Sequence, residues 1–301
     1  MARAMRTRRG SGADPEPYLY LAPMLALLGV FTYWPLIHTA YLSVVRWNMT
    51  PGGGMPFVGW ANFVSVASGS LFQAAGLNTA IYLAASVPLK VLLPVPIAVF
   101  VWTLGARGAA YRTILFLPTM ISFVVVSVVV LWLLNPMGGH VPTLLAMSGI
   151  AMGNPLADAE RAIWLVIGLS SWKVLGFHIL IYIAGLAAIP RELVEAMRID
   201  GAGDWRILRS LIWPLLGPTT LFVLISTILF TLQQCFTPID ILTQGGPSNG
   251  TTNLFYMVYQ LAMRSFDIGG GAAGTVMLFA LLLLLIAGKF ALLDRRVAYE
   301  R

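Results

Sequence analysis

Two lysines stand inside long apolar stretches, and a dense group of charges separates two such stretches; these are the places where the sequence offers chemistry. Lys90 lies in residues 77–102 among Pro88, Pro94 and Pro96, and Lys173 lies in residues 162–189 beside Trp172. A lysine at mid-membrane costs at least about 2.5 kcal/mol, so each needs a partner or a task. The task would be to attract an anion along a polar pathway. The partner would be a backbone carbonyl that proline has deprived of its N–H. His178 follows Lys173 by little more than a helical turn, and Gln233 and Gln234 close the apolar run 211–236. Amides and imidazoles there bind solute hydroxyls or bond neighbouring helices, and the residue types alone leave both open. Catalytic chemistry is not visible. The chain has no Gly-x-x-x-x-Gly-Lys-Ser/Thr phosphate loop and neither a His-Glu-x-x-His nor a Cys-x-x-Cys motif, so no nucleotide or metal site is expected in it. Its one cysteine, Cys235, excludes an internal disulfide.

The elements that must position these groups are membrane helices. With 58% hydrophobic and only 10% charged residues in 301, the chain is too poor in charge for a soluble domain, where about a quarter of residues are charged. Apolar runs at 18–45, 77–102, 113–134, 162–189, 211–236 and from about 269 to 288 each approach or exceed the roughly 20 residues that cross a bilayer. The expected fold is all-α and polytopic, with six spans. Residues 1–17 form a basic tail, 18–293 the transmembrane unit and 294–301 a second tail; the first run is too long for a signal core and is read as retained. Outside loops are expected at 46–76, 135–161 and 236–268.

The formal charge of +7 is distributed by side. Fourteen of the nineteen Lys and Arg fall on the side of the N-terminus, three (Arg46, Arg161, Arg264) on the other, and Lys90 and Lys173 within spans. This asymmetry places both termini in the cytoplasm and assigns the basic character to membrane topology rather than to nucleic acid.

Residues 190–209 form the charged island, with Arg191, Glu192, Glu195, Arg198, Asp200, Asp204, Arg206 and Arg209 between two uncharged flanks. Pro190 suits a first helical position, Glu192 favours the first turn, and Leu193, Ala196 and Met197 recur at helical spacing. Gly201 and Gly203 break this helix, and Asp204 is expected to cap the next one. The spacing predicts helix, turn, helix along the cytoplasmic membrane face, a contact surface for a lipid headgroup layer or another protein's groove.

Glu195-Ala196, then Asp200-Gly201-Ala202, then Pro214 resemble the Glu-Ala-Ala loop of bacterial ABC importer permeases. Met197 replaces the second Ala, Leu208 stands where Phe is frequent, and Trp213 precedes the proline where Leu is usual. Three further stretches are similar to the carbohydrate-uptake group of the same family: residues 57–63, Trp172-Lys173 with Gly176-Phe177, and the run from Phe236 through Asp240, Gly245-Gly246-Pro247 and Thr251-Thr252-Asn253 to Asp267.

The resemblance covers residues 18–296 and lies nearest to the A subunits of glycerol-phosphate and glycerophosphodiester importers. It implies the type I ABC importer permease fold in the bacterial inner or plasma membrane. It implies that Glu195, Ala196, Met197, Asp200, Gly201, Ala202, Leu208 and Pro214 form a coupling surface for a separate ATPase, which binds ATP and magnesium. The implied partners are a homologous second permease, two ATPase subunits and an extracytoplasmic substrate-binding protein, with Asp240, Gly245, Gly246 and Pro247 as candidate contacts for the last. Lys90, Lys173, His178, Gln233 and Gln234 are the candidate pathway residues. A neutral sugar is the alternative substrate. A secondary transporter is the distant alternative, since only two intramembrane charges occur and neither has an acidic partner.

Overall fold

The computed structural model describes residues 16–50, 53–149 and 153–293. Both tails, the Pro51-Gly52 part of the first outer loop and residues 150–152 lie outside them.

The described residues are helical and contain no named strand. Helix α1 spans Tyr18–Ser43, and a short α2 (Ala61–Ser68) leads into α3 (Ser70–Thr103). Then come α4 (Gly108–Met120), α5 (Phe123–Leu133), α6 (His140–Met147) and α7 (Ala159–Ala187). The charged island holds α8 (Arg191–Ile199) and the start of α9 (Asp204–Ile207), which runs on through Leu208–Ile212. Helix α10 covers Gly217–Thr243, α11 covers Leu254–Tyr259 and α12 covers Ile268–Leu293.

Five of these are long and apolar enough to cross a membrane, and α4 with α5 makes a sixth if the bent pair is one span. That pair corrects the expectation of a plain third span. The two helices meet at 84°. Pro118 removes an N–H from the last turn of α4, Ile121 and Ser122 are extended, and the Ser122 hydroxyl accepts from Val124 N at 3.3 Å to cap α5. A hydropathy reading sees one apolar run because the break falls between apolar residues.

Span ends also differ. The outer loop 46–76 is helical from Ala61, and α3 starts at Ser70 rather than at residue 77. The loop expected from residue 236 begins as helix, because α10 continues through Pro238 and a wide π-type turn to Thr243, where Gln244 (φ 53°) ends it. Within the irregular segment expected at 135–161, α6 forms.

Helix α7 is the centre of the molecule, with 61% of its apolar window buried, and it packs on α3, α4 and α10. Its N-terminal half joins Tyr82, Cys235, Ile239, Tyr256 and Met257 in one core; its C-terminal half joins Val95, Val101, Ile207 and Leu216 in another that reaches Val194 of α8. No part of the apolar window of α1 is buried. Its last turn touches α12, where Leu42, Val45 and Ala272 pack. Such an apolar surface is stable only in lipid or against another apolar surface.

Candidate functional site

The charged island folds as a helix, a tight turn and a second helix. Pro190 is the residue before α8 rather than its first residue, and Glu192 lies in the first turn. At the other end Ala202 N donates to Met197 O at 2.9 Å and Gly201 N to Arg198 O at 3.0 Å. This is a Schellman termination, and it needs a left-handed residue at Gly201, whose φ is +76°. Gly203, not Asp204, occupies the cap of α9; Asp204 is its first residue and pairs with Arg198 at 3.6 Å. Both side chains of that pair are largely exposed, so it adds little stability.

Burial sorts the island into two faces. Val194 and Ile207 are buried in the core around the C-terminal half of α7, with Met197, Ala202 and Leu208 half-buried beside them. Glu195, Ala196, Asp200, Gly201 and Pro214 are exposed. So are Ile199 at 86% and Trp205 at 72%, large apolar side chains that a free surface does not favour. Between α8 and the end of α3 lies a groove of about 230 Å³, with Trp102 and Gly105 on one wall and Arg191, Glu195 and Arg198 on the other.

The candidate pathway residues divide. Pro94 has no N–H for the carbonyl four residues earlier, which belongs to Lys90. His178 Nδ1 donates to that carbonyl at 2.6 Å, and this fixes the proton on Nδ1 because a carbonyl only accepts. The Lys90 ammonium is buried and donates to Thr231 Oγ1 at 3.3 Å. Lys173 holds the break between α4 and α5. Its ammonium donates to Thr119 O at 3.0 Å, a carbonyl that an unbroken helix would pair with Phe123 N, and sits 4.3 Å from the centre of the Phe123 ring. Thr119 Oγ1 returns a bond to Lys173 O at 3.0 Å. Each lysine thus serves backbone or hydroxyl groups at a helix irregularity. Gln233 is exposed and Gln234 half-buried within α10, and neither has a side-chain hydrogen bond among the described residues.

Replacing Lys173 with methionine keeps the length but leaves the Thr119 carbonyl unpaired. A loss of about 1–3 kcal/mol of stability is expected, read as earlier thermal aggregation in detergent, with substrate preference unchanged. Altered preference at unaltered stability would instead place Lys173 in the pathway.

At the end of the spans away from α8, residues 244–253 form a plug bonded to α3. Asn78 Nδ2 donates to Asn249 O at 2.8 Å and Thr252 O at 3.0 Å, Tyr82 OH to Thr251 O at 3.0 Å, and Leu254 N to Thr79 Oγ1 at 3.0 Å. Asn253 Nδ2 ties the plug to Leu232 O at 3.1 Å. Gly245 (φ +87°) is buried against Thr252, while Gly246 and Pro247 are half-buried; the exposed tips are Gln244 and Ser248. Asp240 accepts from Tyr256 OH at 2.8 Å and Arg264 Nη2 at 2.9 Å. Asn78, Thr79 and Tyr82 are functional-site neighbours that sequence reasoning missed. Their signal was polar groups on one face of an apolar span, at offsets of one and four. Asn78→Leu is expected to speed hydrogen exchange in residues 244–253 by about tenfold or more, since two bonds to backbone carbonyls of that segment are lost.

A family model described as the inner membrane component of binding-protein-dependent transport systems matches residues 74–299. The chain belongs to that family. The match runs from α3 to beyond α12 and so contains the island, the broken span and the plug. Among curated relatives, the sn-glycerol-3-phosphate transport system permease protein UgpA of Agrobacterium fabrum is 34% identical over 94% of this chain and 96% of the relative. UgpA of Yersinia enterocolitica is 33% identical over 98% and 99%. The fold is also that of a solved bacterial ABC transporter involved in import of the acidic polysaccharide alginate, with a TM-score of 0.82 at 24% identity over 95% of this chain and 97% of that one. As a binding-protein-dependent inner membrane component, the chain is a multi-pass subunit of an ABC importer, a transport component rather than an enzyme. The expectation drawn from the Glu-Ala-Ala resemblance is therefore borne out for family, fold and membrane.

Proposed function

We propose that this permease carries glycerol 3-phosphate, or glycerophosphodiesters such as glycerophosphocholine, into the cell. The observation behind this reading is the 30–34% identity, along nearly the whole chain, to permeases named for sn-glycerol 3-phosphate. In this reading α8 and the turn after it face the cytoplasm, as do both termini. The exposed Glu195, Ala196, Asp200 and Gly201, with Ile199 and Trp205 around them, enter a cleft on an ATPase that binds ATP and magnesium. Met197, Ala202, Leu208 and Pro214 tie that surface to the spans. A homologous second permease and two ATPase copies complete the membrane assembly. An extracytoplasmic binding protein docks near the loop of Asp240 and Gly245-Gly246-Pro247. Differential contact of α8 with two states of the ATPase drives the change of access.

One observation favours a second reading, a neutral mono- or oligosaccharide: Lys90 and Lys173 are engaged by Thr231 and by Thr119 with Phe123, leaving no plain anion receptor at either. The deciding experiment is copurification of the assembly in mild detergent, followed by ATPase measurement with its binding protein. Stimulation by glycerol 3-phosphate or glycerophosphocholine and not by maltose-like sugars supports the first reading. Stimulation by sugars alone replaces the substrate, and absence of an ATPase partner overturns the coupling role.

A further inference from the structure

Arg112 presents a problem that the transport function does not solve. Its Nε is buried and has no hydrogen-bond partner among the described residues, where the one bond its side chain makes is a long one, Nη2 to Gly105 O at 3.4 Å. A guanidinium keeps its charge in proteins, so this donor cannot be relieved by losing a proton. Leaving a buried charged donor unpaired is unfavourable, so this atom favours any arrangement that brings an acceptor to it.

The place where it would sit is a cavity of about 360 Å³ beside Arg112. It is lined by Trp102 and Gly105, by Ile183 near the end of α7 and Ile189 just after it, and by Arg191 at the start of α8. No Asp or Glu lines it, and neither arginine has an ion pair among the described residues. The lining is therefore two cationic forks, one indole and aliphatic side chains. On the same helices, Phe100, Tyr111 and Ile114 are 56%, 49% and 63% exposed, giving α3 and α4 an apolar flank. Paired arginine forks match the oxygens of a phosphate, tryptophan favours the headgroup depth, and the flank suits acyl chains. Basic pockets between spans on this side of a membrane take anionic headgroups.

We propose that Arg112 and Arg191 bind the phosphate of an anionic phospholipid in the leaflet on the α8 side, directly behind the helix that the coupling reading assigns to the ATPase. A free phosphate would satisfy the same forks but would leave the apolar flank uncovered. An acidic side chain of a partner protein is disfavoured because, like a free phosphate, it would leave that flank uncovered.

The test uses the complete transporter in nanodiscs of phosphatidylcholine with phosphatidylglycerol, with phosphatidylglycerol that remains bound after detergent transfer counted by native mass spectrometry. Arg191→Gln is expected to lower its retention about fivefold and Arg112→Gln with Arg191→Gln about thirtyfold, while Arg206→Gln, outside the cavity, leaves it unchanged. Arg191 is exposed, so its single variant keeps the test open should the double variant fail to fold. Equal retention in wild type and Arg191→Gln overturns the proposal. Stabilisation of lipid-free transporter by inorganic phosphate to the same extent as by phosphatidylglycerol also overturns it, in favour of a free anion. So does retained lipid with loss of the copurifying ATPase, which would assign the arginines to an acidic protein contact.

Discussion

Gly176→Val is expected to remove nearly all folded protein from the membrane. Gly176 lies in α7 where that helix crosses α4, and a Cβ there would overlap the Leu115 carbonyl oxygen and lie 2.6 Å from the Leu115 carbonyl carbon and 3.0 Å from Phe116 Cα. These are backbone atoms of a neighbouring helix and cannot rotate away. To make room, α4 must separate from α7, which would pull Thr119 from Lys173 and loosen the bonds that hold the α4–α5 break. Overpacking alone costs about 1–3 kcal/mol, and the lost bonds between the two helices add to it. Gly168 supplies the control: it is on the same helix with nothing within 4 Å of its Cβ position, so Gly168→Val should accumulate as the wild type does. Abundance of monodisperse protein by fluorescence-detected size exclusion separates the two. Equal abundance of the Gly176 and Gly168 variants would show that the α4–α7 contact is not as close as described.

That contact also marks the limit of what apolar composition reveals. The island was legible because charge between uncharged runs, Pro190 before a helix and glycines after it are local signals, and the turn needs Gly201 for a reason that a sequence displays. The five unbroken spans were legible from length. The break at residues 121–122 was not, because hydropathy measures transfer to lipid and is blind to helix continuity; Pro118 and Ser122 carried the only signal. Span ends were misplaced where helices run past the apolar window, as α10 does to Thr243. The intramembrane lysines were read through their charge, and the sequence could not say that helix breaks had left Thr119 O free and brought Thr231 near. Carbonyls orphaned by proline or by a bend have no residue letter. Arg112 passed as an ordinary cytoplasmic cation for the same reason: an unpartnered atom is a property of packing.

Gly201→Asp and Glu195→Ala are expected to lower uptake while the permease still inserts and accumulates. Glu195 is exposed and has no hydrogen bond or ion pair among the described residues, so its removal takes nothing from the fold. Any loss of transport then reports a contact with something outside this chain. Gly201 acts differently. Its Cβ position is open, so Asp meets no clash, but φ of +76° costs a side chain about 1–2 kcal/mol, and a carboxylate at the end of α8 opposes the helix dipole by roughly a further 0.3–1 kcal/mol. The strain is relieved by fraying the last turn, which releases Met197 and Ala202 from each other without opening the core around Val194. If α8 transmits the ATPase state, each variant forfeits a coupling energy of the usual size, a decrease in uptake of about 5- to 150-fold. Initial uptake rates normalised to membrane abundance make the measurement, with Gly201→Ala as the milder variant carrying strain but no charge. Its loss should lie between wild type and Gly201→Asp. Normal uptake by Glu195→Ala and Gly201→Asp at normal abundance would remove α8 from the coupling pathway and leave the island as a solvated loop.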